Sequence, residues 1–162
     1  MKGIILVVEP HLPKTRLDGA AMLDEDGTPV IGMTLRYDRI DNFWFTLMHE
    51  LVHVQRHLAK QGQAFVDALD APSTSEDALE TEANLVAAEA FIPRAIWKSS
   101  DAYRLKRADA VQQLADELVI HPAIIAGRIR RESGNYRILK DLVGQGDIRP
   151  LFGEVTWSKE SL

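Results

Sequence analysis

The stretch Asn42 to Lys60, NFWFTLMHELVHVQRHLAK, decides how the rest of the chain is read. It has no glycine or proline, follows Asp41 as an N-cap, and carries apolar residues at Leu47, Met48, Leu51, Val52 and Val54, which predicts a helix of about four to five turns. Inside it, His49, Glu50 and His53 spell H-E-x-x-H. A spacing of four sets both imidazoles on one face, about 6 Å apart along the axis, near enough to share one ion. Glu50 stands about 100° round from His49, poorly placed as a third ligand but within reach of a water held by that ion.

Outward from this helix, three short β segments come first: Ile4 to Val8, Ala20 to Leu23 and Val30 to Arg36. Asp26-Gly27 marks a hairpin between the second and third, so a small antiparallel sheet of three strands is expected. Residues 61–77 read as connection, with AFVDAL as one further strand candidate. Ser73 with Glu76 fits a capping box, or Ser75 caps directly, and EDALETEANLVAAEAFI runs as a second helix until Pro93. Beyond it, WKSSDAYRLKRADAVQQLADELVI reads as one or two helices. His121-Pro122 opens another through Ile124, Ile125 and Ile129, giving a helix, tight turn, helix pattern. The tail from Gly144 is loop, with GEVTW as a short closing strand. The fold class is therefore α+β: the sheet packed on the H-E-x-x-H helix and a second helix, with a C-terminal helix-turn-helix-like subdomain. Residues 1–93 form the expected core and 94–162 the subdomain.

Composition narrows the chemistry. The 162 residues, 46% hydrophobic and 27% charged, exclude a disordered chain. There is no cysteine, which removes disulfides, thiolate ligands, iron–sulfur clusters and cysteine nucleophiles together. Any metal must sit on histidine and carboxylate, and three of the five histidines (His49, His53, His57) fall within nine residues. The net charge of −5 disfavours a general nucleic-acid or membrane-surface binder. It is uneven: residues 1–92 hold 7 Lys or Arg against 15 Asp or Glu, and residues 93–162 hold 12 against 9. No apolar run reaches the roughly 18 to 20 residues of a membrane span, and the N-terminus lacks a secretory pattern, so a cytoplasmic location is expected.

A catalytic ion of the zinc type needs a third protein ligand and leaves a fourth position for water. His57 lies about 12 Å along the axis from His49, so an unbroken helix cannot bring all three histidines to one ion, and a place beside the site or on the surface is expected for it. The second helix offers a carboxylate. Glu80 and Asn84 are one turn apart on a face shared with Ala83 and Ala87, small residues that permit close helix approach. Glu80 is favoured as ligand with Asn84 hydrogen-bonding beside it, and Glu82 is the competing choice. Such nitrogen and oxygen ligands also accept Mn, Co, Ni or Fe; zinc is preferred because of the helix motif.

FWFTLMHELVHVQRH followed by ETEANLVAAEAFIP resembles the ImmA/IrrE family of zinc metallopeptidases, in which a helix ending in H-E-x-x-H precedes a second helix with E-x-x-A-N, a short apolar stretch and Pro. DNFWFTLMHEL with IHPAIIAGRI further resembles the peptidase-like domain fused to HigA-type antitoxin regulators. The likeness runs from about Asp41 to Arg131, and a glycine that many members carry before the second histidine is Val52 here. The resemblance implies a gluzincin-like zinc site with His49, His53 and Glu80 as ligands and Glu50 as catalytic base. It implies hydrolysis of a regulatory protein, a repressor or antitoxin. An extra donor to the oxyanion is usually wanted; His121 and Tyr136 are candidates by residue type, against a helix cap and an ordinary amphipathic tyrosine.

Two rivals accompany this reading. Arg128, Arg130 and Arg131 on the last helix make a DNA-binding module one alternative, opposed by the Ile124, Ile125, Ile129 stripe and by Gly127 within that helix. The other keeps the fold without turnover, as an antitoxin-type module that binds a partner protein.

Overall fold

A computed structural model describes residues 3–11, 14–58 and 73–157, with the side chains of 73–77 outside that description. The AFVDAL strand and the capping contacts of Ser73, Ser75 and Glu76 lie outside it too. The chain forms two compact units. The first draws on Met1–Arg36, Thr46–Ala87 and Phe152–Leu162, the second on Tyr37–Phe45 and Ala88–Leu151.

In the first unit, β1 (Ile5–Val8), β2 (Gly19–Leu23) and β3 (Pro29–Met33) form a sheet in the order β1-β3-β2. β2 and β3 are the expected antiparallel hairpin, with Ala21 opposite Ile31. Asp24 fixes their turn: its Oδ1 accepts from the backbone N–H of Asp26 at 3.0 Å and of Thr28 at 2.7 Å. Gly27 takes φ 73°, which a residue without Cβ adopts freely. β1, by contrast, pairs parallel to β3, Ile5 with Val30 through Val8 with Met33. The sheet is therefore mixed rather than antiparallel. β1 lies along the edge of β3 that β2 leaves open and runs in the same direction as β3. β3 ends at Met33, and Leu35 at φ 36° turns the chain away before the expected end at Arg36. Ala21, Ile31 and Met33 are buried, while Ile4 to Val7 remain exposed.

The H-E-x-x-H helix, α1, spans Ile40–Val52 and continues as a π-turn over His53–Leu58. The sequence predicts one unbroken helix here; π-turns are short and cluster at functional sites, and a 3.6-residue periodicity cannot announce one. The β2 strand packs on this π-turn. Asp41 is not the N-cap. It lies inside the first turn, and its carboxylate receives the Arg39 guanidinium through two bonds of 2.8 and 2.5 Å. The second helix, α2, spans Ser73–Phe91 and buries Ala83 and Ala87 completely.

The second unit carries α3 (Arg94–Ser99), α4 (Asp101–Leu105), α5 (Ala108–Leu118) and α6 (Pro122–Ser133). Their core gathers Ile92, Trp97, Val111, Leu114, Ile125 and Ile129. Ser100 breaks the first two helices apart by capping α4, accepting from the Tyr103 N–H at 3.2 Å. His121 caps α6 and Pro122 starts it, as a helix entrance favours. GEVTW forms no strand: Val155 N–H bonds to Phe152 C=O in a turn. Upstream of it, Asp38 Oδ1 holds the tail by accepting from the N–H groups of Ile148 and Arg149.

Candidate metal centre

The site lies within the first unit, on α1, its π-turn and α2. His49 and His53 project from one face, rings 4.7 Å apart between centroids, with their Nε2 atoms 2.9 Å apart. From α2, Glu80 brings Oε2 to 3.1 Å from His49 Nε2 and Oε1 to 3.2 Å from His53 Nε2. Buried Ala83 on the same helix is what allows so near an approach. The ligand atoms of these three residues all lie within 4.8 Å of one another, and they form the group of histidine and carboxylate atoms with metal-holding spacing among the described residues.

The set fits a tetrahedral ion. Bonds of about 2.0–2.1 Å place neighbouring ligand atoms about 3.3 Å apart, close to the separations seen. The donor chemistry agrees: two imidazole nitrogens and one carboxylate oxygen are borderline ligands suited to zinc. Asn84 Oδ1, one turn beyond Glu80, is 3.2 Å from His49 Nδ1. Accepting the proton there leaves the His49 Nε2 lone pair facing His53 and Glu80. Hydrogen bonding to His49 and then to His53 holds the Glu80 carboxylate far below the usual carboxylate range, so it stays anionic. The imidazoles are mostly covered and Glu80 is half exposed, so the site is open on the α2 side.

Glu82 goes elsewhere. Its Oε1 takes a 2.6 Å bond from Arg56 Nη1, and its Oε2 lies 3.5 Å from His57 Nε2. His57 itself is buried at 3% exposure, with Nδ1 3.0 Å from His53 Nδ1. Glu50, one residue beyond His49, is also buried, at 7%. Gly19, at the start of β2, makes room for it: a Cβ at position 19 would stand 2.8 Å from Glu50 Oε1 and 2.7 Å from Thr46 Cγ2. Sequence reasoning passed over Gly19, although a glycine opening a strand is a known sign of close approach.

The remaining candidates lie in the second unit. His121 spends its Nδ1 on the Ala123 N–H at 3.1 Å, and Tyr136 is 58% exposed, with the Arg130 guanidinium 5.7 Å from its ring centroid. Two of the three α6 arginines, Arg128 and Arg130, are engaged internally. Arg128 lies over the Trp97 ring and donates to Glu132, Ala88 C=O and Ile92 C=O; Arg130 is 5% exposed and donates to Tyr136 C=O.

An α+β unit with an H-E-x-x-H helix and a carboxylate supplied by the next helix defines a metallopeptidase-like domain. Residues 4–129 match the family model of peptidase M78, the IrrE N-terminal-like domain, and the chain belongs to that family. No curated protein matches the chain. Among the described residues, no helix is long and apolar enough to cross a membrane.

Proposed function

We propose that the protein is a zinc-dependent endopeptidase that cleaves a regulatory protein of the repressor or antitoxin type in the cytoplasm. The observation that carries this reading is the convergence of His49 Nε2, His53 Nε2 and a Glu80 oxygen. His49, His53 and Glu80 would hold the ion. When bound, it supplies a Lewis acid toward the scissile carbonyl and lowers the pKa of water toward about 7. Glu50 takes the proton released as water attacks and returns it to the leaving amine. Its burial against Gly19 keeps the carboxylate in one place for both transfers. His49 is oriented by Asn84, and Glu80 adds one negative charge to a site whose other ligands are neutral. A protein substrate is favoured over DNA because Arg128 spends its donors on carbonyls and a carboxylate of its own unit and Arg130 is buried, which leaves α6 few cations for phosphate contacts.

Zinc content and cleavage of repressor or antitoxin proteins encoded beside this chain test the reading. The wild type is expected to hold one zinc and to cleave. Glu50→Gln should hold zinc and not cleave. Cleavage that survives Glu50→Gln, or a wild type that takes up no zinc, overturns it.

A further inference from the structure

His57 has no part in the three-ligand set, yet it is buried at the end of the π-turn, where an imidazole needs polar partners to offset its desolvation. Its two nitrogens face two different groups. Nδ1 lies 3.0 Å from His53 Nδ1, and Nε2 lies 3.5 Å from Glu82 Oε2. Glu82 is itself gripped on its other oxygen by Arg56, from the same π-turn. The row Arg56, Glu82, His57, His53 thus ends on a nitrogen ring whose far atom, Nε2, faces Glu80 and His49.

We infer that His57 is a positioning residue that fixes the tautomer of the ligand His53 through a relay anchored on Glu82; the inference rests on the zinc reading above. The proton bookkeeping is forced. If His53 Nε2 offers a lone pair to an ion, its proton sits on Nδ1 and is donated to His57 Nδ1. His57 then carries its own proton on Nε2, the nitrogen that lies 3.5 Å from Glu82 Oε2. Arg56 keeps that carboxylate charged and in place. The two ligand histidines are thereby supported differently. His49 donates to the neutral amide of Asn84, whereas His53 donates into a row that ends on a carboxylate, the arrangement that raises a ligand's basicity. The π-turn carries the first, third and last members of this row within six residues. Spending His57 Nδ1 on His53 also accounts for its absence from the ligand set.

The full chain is compared with His57→Phe and Glu82→Gln. Zinc affinity is read by competition with a chromogenic chelator, and the His53 tautomer by long-range proton–nitrogen NMR on zinc-free protein. Wild type should show the proton on His53 Nδ1. His57→Phe should weaken zinc by roughly 10- to 100-fold and move that proton toward Nε2. Glu82→Gln should shift both readouts the same way by less. A zinc affinity and a tautomer unchanged in His57→Phe overturn the inference, as does a lowered melting temperature of the zinc-free protein with affinity intact. If His57→Phe does not fold, Glu82→Gln, at a half-exposed position, decides by the same two readouts. A wild type that takes up no zinc overturns the zinc reading, and the tautomer in zinc-free protein still decides the relay.

Discussion

Replacing Gly127 by alanine sets two effects of opposite sign against each other. Gly127 lies in the middle of α6, where helix propensity alone makes Gly→Ala stabilising by about 0.8–1.0 kcal/mol. The packing says otherwise. A Cβ at position 127 would stand 2.5 Å from Asp41 Cβ and 2.8 Å from Asp41 Oδ2, so the contact must open by about 0.9 Å to reach the 3.4 Å where ordinary contact begins. The first of those atoms is Cβ, which moves only with the backbone of α1. The second belongs to a carboxylate 6% exposed, held by Arg39 through two hydrogen bonds and approached by Arg130 at 3.9 Å. Forcing a methyl into such a site costs about 1–3 kcal/mol, and loosening a buried ion pair adds to it. Packing wins, with a net loss of about 1–2 kcal/mol. For a chain of this size that is a fall in melting temperature of roughly 2–8 °C. Thermal and urea melts followed by circular dichroism read it directly. A Gly127→Ala protein that melts at or above the wild-type temperature refutes the account.

Three further outcomes concern the site and its scaffold. Gly19→Ala pushes the Glu50 carboxylate from its place, so cleavage should fall by roughly tenfold to a hundredfold while zinc content stays at the wild-type level; equal loss of both would show that the contact shapes the ligands instead. Asn84→Ala should weaken zinc binding by about 10- to 100-fold in chelator competition, and an unchanged affinity would remove Asn84 from the support of His49. Chelation of the metal should lower the melting temperature of the wild type, because an ion that binds only the folded chain stabilises it by mass action, and the shift should vanish in His49→Ala.

The site was largely readable because its signals are local. H-E-x-x-H is a spacing on one helix, and Glu80 with Asn84 is a spacing on another, so periodicity alone set the ligand candidates on shared faces. The three strands and the hairpin turn were equally plain. What escaped depends on tertiary pairing or on departures from regular backbone. The parallel pairing of β1 with β3 is a tertiary choice of edge and direction that the strand's own residues do not encode. The π-turn that carries His53 and His57 cannot be read from a 3.6-residue pattern, although a place for His57 beside the site was expected. Gly19 is defined by a neighbour 31 positions along the chain. Arg128, a candidate for DNA contact by its place on the last helix, reaches carbonyls at the end of α2, a partnership no sequence window spans.

The corner between α5 and α6 is built around an unfavourable residue. Val119 sits there at φ 54°, a conformation that costs an L-residue about 1–2 kcal/mol, and its branched side chain is 90% exposed and so recovers little by burial. The bend is therefore imposed from both sides: Ile120 N–H closes back on Ala115 C=O at 3.1 Å, and His121 caps the next helix. A corner held by its flanks leaves its apex tolerant of substitution. Neutral drift should collect at Val119, while the geometry of the bend is inherited through Ala115, Ile120 and His121.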